Sequence, residues 1–238
     1  MFVARTGAMI VAAASVLRTP GAEAAAGAGG DAETAAGSCE RKPVCPRRSV
    51  DYGLGMAEEA ELKHGPTGVV PVGEGWFVLN ARDARWHHAP GRSAVCEFEG
   101  DTPFAQLGIN LSVLRPGEAM SQYHWEADQE DFLVLAGQAL LIIEGEERPL
   151  RAWDLIHCPA GVSHVIVGAG SGPCVVVAVG ARDRSIGADW GAYPVEPAAL
   201  RHGAGVRQET TQPHEAYGGM RRRKPVAFDP DWVPESAV

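Results

Sequence analysis

Long apolar runs are missing from these 238 residues, and no segment is long and apolar enough to span a membrane as a helix. Positive charge is also short: 21 Lys and Arg stand against 30 Asp and Glu, a net charge of −9, which argues against nucleic acid as a partner. Cysteine is sparse and odd in number, and Cys39, Cys45, Cys96, Cys158 and Cys174 show no Cys-x-x-Cys spacing. Nothing in that pattern requires a disulfide, so a reducing, cytoplasmic compartment is the simplest expectation. Large apolar residues are sparse and scattered in residues 1–55 beyond Met9-Ile10-Val11, so that stretch cannot build a core of its own.

The region 1–55 reads as a disordered extension, or as one annotated too far upstream of a start at Met56. A signal peptide ending near Ala22-Glu23-Ala24 is the alternative, although the apolar stretch before it is mostly alanine and Pro20 precedes the cut. Residues 56–75 form a lead-in, with a helical turn or two expected over 58–64.

From residue 76 the aromatics and branched aliphatics gather into short runs separated by turn residues. Strands are expected over 76–79, 94–98, 107–114, 120–126, 132–136, 139–144, 155–158, 163–167 and 174–179, the spacing of an antiparallel all-β domain. Glu144-Gly145-Glu146-Glu147 reads as a hairpin turn, and the glycine-rich stretch 168–173 as a loop. No internal repeat is present, so one barrel is expected. Residues 197–202 read as a short helix with proline in its first turn and Gly203 after its end. The remaining residues suggest an extended tail packed on the outside through Trp190, Tyr193 and Trp232, in which Arg221-Arg222-Arg223-Lys224 is a solvated basic segment. Cys158 and Cys174 lie in apolar runs and read as small core residues.

The chemistry concentrates between Gly117 and His164. His124 and Glu126 are two apart, so in a strand they leave the same face, together with Met120 and Gln122. Glu130 opens the next apolar run, on one face with Phe132 and Val134, and Pro159-Ala160-Gly161 turns the chain three residues before His164. Two buried carboxylates side by side are costly unless one takes a proton or a cation joins them. Tyr123 and Trp125 fall on the outer face, His157 reads as a packed core histidine, and the adjacent pair His87-His88 reads as part of a loop.

These residues resemble the paired motifs of the cupin superfamily: a glycine, then His-x-His, then a glutamate with a glycine seven residues beyond it, and later Pro-x-Gly-x-x-His. The resemblance implies a single jelly-roll-like cupin β-barrel over 76–184, with residues 185–238 as a short helix and tail. It places His124, Glu130 and His164 on three of the four metal-ligand positions and Glu126 where a second histidine is usual. It also departs from the pattern at three scaffold positions: Gly117 stands one residue further from His124 than usual, Trp153 replaces the glycine before Asp154, and Gly168 stands where asparagine is common.

A shell of two imidazoles and one or two carboxylates suits a divalent Fe, Mn or Zn ion. The expectation is a bacterial-type metal-binding cupin, acting as a mononuclear enzyme on a small oxygen-bearing metabolite. Dioxygenase, isomerase or epimerase, and decarboxylase chemistry are all open. Glu126 is expected as ligand or acid/base and Gln122 as a substrate donor. A non-catalytic small-molecule-binding module is the alternative. A phosphosugar-isomerase-like version would need basic residues at the pocket mouth, where Arg115, Arg148 and Arg151 are the candidates. The resemblance also implies a homodimer.

Overall fold

The computed structural model describes residues 58–183 and 190–233, so the expectations for residues 1–55, with Cys39 and Cys45, lie outside the described residues. The strands are β1 (Glu61–Gly65), β2 (Gly68–Val72), β3 (Trp86–Ala89), β4 (Arg92–Cys96), β5 (Leu107–Leu114), β6 (Trp125–Glu126), β7 (Glu130–Ala136), β8 (Gln138–Ile143), β9 (Glu146–Arg151), β10 (Leu155–Cys158), β11 (His164–Ala169), β12 (Cys174–Ala181), β13 (Gly191–Ala192) and β14 (Lys224–Val226). Two short helices, α1 (Pro197–Arg201) and α2 (Pro213–Ala216), follow the main run of strands.

A seven-stranded sheet, in the order β10-β7-β12-β5-β4-β3-β14, accompanies a three-stranded sheet, β11-β8-β9. Their inner faces share one core, in which Leu114, Phe132, Val134, Ile156 and Val176 of the larger sheet meet Leu141, Leu150 and Ile166 of the smaller. β7 shows how the sequence directs this. Glu130, Phe132, Val134 and Ala136 are buried while Asp131, Leu133 and Leu135 alternate outward, so one parity carries both the core and a carboxylate. Each fully buried aliphatic or aromatic side chain in this core contributes roughly 1.5–3 kcal/mol. The result is an all-β antiparallel barrel, as expected.

The outer face of the small sheet is covered as well. Pro197 stands in the first turn of α1 and Glu196 caps it by accepting from the Ala198 N–H at 2.9 Å. Ala198 and Ala199 pack with Ile142, Val165 and Val167, and Tyr123 joins them on this outer side. Gly168 explains its own departure from the family pattern: a Cβ there would stand 2.2 Å from the Arg115 carbonyl oxygen. The Arg115–Glu118 turn lies against it, with Gly117 N–H donating to Gly168 O and Gly168 N–H to Glu118 O, both at 2.9 Å.

Several expectations are corrected. Residues 58–64 are not helical; β1 and β2 form a hairpin across Gly65 and Gly68, the latter with φ of 114°. The run 76–79 is not a strand, and Val78 is 80% exposed. His87 and His88 lie in β3 rather than a loop, because Pro90-Gly91 is the turn that pairs β3 with β4. β9, polar and containing Pro149, escapes the apolar-run criterion because it is an edge strand with mostly exposed residues. The segment read as an extended tail contains α2 and β14, and β14 pairs with β3 to complete the larger sheet. No helix among the described residues is long and apolar enough to cross a membrane.

Candidate metal centre

The stretch 120–126, expected as a strand, is regular only at its end in β6, and β6 pairs with β13 rather than with the main sheets. His124 is nevertheless fixed. It forms an isolated antiparallel bridge with His164, in which His124 N–H donates to His164 O at 3.2 Å and His164 N–H to His124 O at 2.8 Å. Directly opposed residues on antiparallel segments put their side chains on the same face. The two imidazoles accordingly lie with ring centroids 5.1 Å apart.

Each ring is held by a carbonyl two residues earlier. His124 Nδ1 is 2.8 Å from Gln122 O and His164 Nδ1 is 3.0 Å from Val162 O. A carbonyl only accepts, so both Nδ1 atoms carry a proton and both Nε2 atoms are turned inward. Glu130 enters from the first position of β7, where its backbone faces Cys158 of β10 and Gly180 of β12. Its Oε2 lies 3.6 Å from His124 Nε2 and 3.3 Å from His164 Nε2, and Glu126 Oε1 lies 3.4 Å from His124 Nε2. One ligand atom from each of His124, Glu130 and His164 falls within 4.8 Å of the others.

The decisive detail is what these atoms lack. Among the described residues, Glu126 Oε2, Glu130 Oε2 and His164 Nε2 are buried without a hydrogen-bond partner. Such a group costs about 1–3 kcal/mol, and more when charged. Several sharing one pocket, all electron-pair donors, fit a cation. Burial, then the neighbouring Glu130, pushes the Glu126 carboxyl upward. Burial would raise Glu130 too, but contact with His164 and then the charge of His124 overcomes it and holds Glu130 low. For His164 burial acts downward, while the Cys158 thiol and Glu130 carry it up to about 10. The cluster thus holds negative charge that, without a metal, a proton on His164 must offset.

Gln122 is buried, but its Nε2 points at Met220 Sδ, 3.4 Å away, and its Oε1 has no partner among the described residues. Phe132 packs on His164 with ring centroids 5.1 Å apart, and Met120 and Val134 belong to the adjoining core. His157 is corrected: it is exposed and bonds Asp131 Oδ1 through Nδ1 at 2.6 Å. Arg148 is 65% exposed and pairs with Glu146, and Arg115 and Arg151 are exposed as well.

Tyr193 is the residue near the centre that sequence reasoning placed elsewhere. Its ring lies 5.8 Å from that of His124, with Trp190 at 6.5 Å. The cause is the β13–β6 pair, in which Gly191 faces Glu126, and a Cβ on Gly191 would stand 2.1 Å from Trp125 O. Gly191 before an aromatic was the available signal. Tyr193 also stacks edge-on against Tyr217 at 5.8 Å, and the Tyr217 hydroxyl accepts from the Gln122 N–H at 3.1 Å.

Residues 110–180 match the family model described as the cupin domain. A comparison with curated proteins finds no match. Among solved structures the chain is similar to a sugar phosphate isomerase candidate from Acidithiobacillus ferrooxidans, 24% identical over 40% of this chain and 66% of that one, with a TM-score of 0.37. It is also similar to a sugar phosphate isomerase from a cupin superfamily of Silicibacter pomeroyi, 27% identical over 41% of this chain and 70% of that one, TM-score 0.36. The polyketide cyclase RemF from Streptomyces resistomycificus is 15% identical over 46% of this chain and 81% of its own, TM-score 0.40. This chain spans about two thirds of the Acidithiobacillus chain's length.

Proposed function

We propose that this cupin binds one divalent Fe, Mn or Zn ion through His124, Glu130 and His164, with Glu126 beside them, and acts on a small oxygen-bearing metabolite. The observation that carries the reading is the convergence of buried Nε2 and carboxylate oxygen atoms that make no hydrogen bond among the described residues. Bound there, such an ion would polarise an oxygen of the metabolite as a Lewis acid. The chain's own residues have separate tasks. Gln122 O and Val162 O hold the two rings by their Nδ1 protons, Phe132 and Val134 keep the floor apolar, and Glu126, with its raised proton affinity, is placed to hold or release a proton at the edge of the centre.

A binding module without turnover is the second reading. The coverage of His124 by Tyr193 and Trp190 favours it, because a closed site retains a ligand more readily than it cycles one. Metal analysis of the purified chain, followed by melting with added Fe, Mn or Zn, tests the shared premise. One ion per chain is expected, with stabilisation lost in His164→Ala. No bound metal and no shift with any of the three would mean that the cluster is a polar patch that holds no metal. Incubating the metal-loaded protein with diols, hydroxyketones and hydroxy acids separates the readings. A chemically altered metabolite supports the enzyme, and recovery of every bound ligand unchanged supports the binding module.

A further inference from the structure

We propose that a cleft beside β4 binds an oxyanion, the carboxylate or phosphate group of a small molecule, at a site that shares no ligand residue with the candidate metal centre, although Ser121 on its wall stands 3.4 Å from His124 Nδ1. The cleft has a volume of about 60 Å³, ample for several waters or one such group, and neither His124, Glu126, Glu130 nor His164 lines it. Arg92, Ser121, Tyr217 and Met220 do.

Arg92 is the reason for an anion. It follows the Pro90-Gly91 turn and is only 9% exposed. Its Nη1 donates to Arg221 O at 3.1 Å, and its Cζ stands 5.2 Å from the centre of the Tyr217 ring. No carboxylate among the described residues pairs with it, in contrast to Arg148, Arg182 and Arg201. Among the described residues Nε and Nη2 make no hydrogen bond, and a guanidinium offers them as a fork that fits a carboxylate or phosphate in two-point contact.

A second guanidinium lies close by. Arg223 ties β4 to the 120–124 segment by donating to Ser93 O at 2.9 Å, Ser93 Oγ at 2.5 Å and Met120 O at 3.4 Å. Burial, and then the nearby Arg92, holds its guanidinium down to about 10, with Glu97 and Glu118 acting in the opposite sense. Arg92, buried and without a carboxylate partner among the described residues, favours a negative guest, and the nearby guanidinium of Arg223 adds to the positive potential there. The rim leaves room for one. Gly91, Gly117 and Gly203 have φ of 77°, 82° and 66°, and at each no atom lies within 4 Å of where a Cβ would stand. The turns that require glycine also keep the entrance bare. The plainer role for Arg92, a strap holding the C-terminal segment through Arg221 O and Tyr217, predicts no response to anions.

Melting of the full chain in chloride, acetate and inorganic phosphate at equal ionic strength decides between them. The expected result is a saturable rise over chloride, roughly 3–6 °C at tenfold excess over Kd. A response to acetate assigns a carboxylate, and a response to phosphate assigns a phosphoryl group. The rise should vanish in Arg92→Met. Because that variant also loses the strap, Ser121→Asp is the second probe. Its carboxylate, in the same cleft, takes the anion's place, so the response disappears while the melting temperature in chloride matches or exceeds wild type. Neither anion outperforming chloride, a response that survives Arg92→Met, or a lower melting temperature for Ser121→Asp would each overturn the proposal.

Discussion

Glu126 differs from the other three residues of the centre in what it gains from its neighbours. His124 and His164 are each anchored by a backbone carbonyl, and Glu130 lies against both rings. Glu126 Oε1 lies 3.4 Å from His124 Nε2, its Oε2 makes no hydrogen bond among the described residues, and burial followed by Glu130 raises its proton affinity. A carboxylate whose folded-state pKa is raised stabilises the fold in its protonated form, and that contribution fades as pH rises through the raised value. In the metal-free protein, Glu126→Gln is therefore expected to raise the melting temperature more at pH 8 than at pH 5. The same substitution should weaken metal uptake if Glu126 is a ligand and leave it intact if Glu126 serves only as acid or base. Melting curves at the two pH values, with and without metal, check both halves. A variant less stable than wild type at pH 8 without metal would show that Glu126 is held by a partner stronger than His124.

Turns decide how accurately the strands deliver these side chains. The β8–β9 turn, Glu144-Gly145, has both residues at positive φ, 48° and 79°, the geometry that matches strand twist in a two-residue hairpin. The β9–β10 turn is less comfortable. Trp153 has φ of 75°, and it is pinned there because its N–H donates to Val134 O at 2.8 Å while Val134 N–H donates to Asp154 O at 3.1 Å. A non-glycine residue in that region costs roughly 1–2 kcal/mol. The Trp153 ring, 77% exposed, recovers little of it by burial. Trp153→Gly is expected to stabilise the protein by about 0.5–1 kcal/mol after the added chain entropy of glycine. Denaturant unfolding measures this, and a loss of stability would mean that the ring contributes more than its exposure suggests.

Across the whole molecule the C-terminal segment is part of the barrel. Trp232 is 3% exposed and packs against Trp86 with ring centroids 5.2 Å apart, in a core shared with Cys96, Val113 and Val175. Arg223 binds Ser93 and β14 completes the sheet beside β3. Trp232→Ala should cost about 3–5 kcal/mol, a fall in melting temperature on the order of 10 °C. An unchanged midpoint would mean that the Trp232 ring contributes little to the fold.

The barrel was legible in the sequence because its information is local. Alternation in β7, the turn at Glu144-Gly145, and the spacing from His124 to Glu130 and from Pro159 to His164 are properties of short stretches, and the pleat converts them directly into faces. The grouping of His124, Glu130 and His164 was legible for the same reason. The C-terminal segment was not, since a polar, proline-rich stretch such as 219–233 has no period of its own, and its place is set by what it meets. Arg223 looks like one member of a solvated basic run until Ser93 and Met120 present their oxygens to it. Tyr193 looks like outside packing until Gly191 lets its strand close against Glu126. Sequence alone therefore determined the barrel and the residues that meet inside it. The tertiary structure decided what closes that site and leaves Arg92 facing a cleft, because those contacts join residues 65 to 129 positions apart, where no local pattern records them.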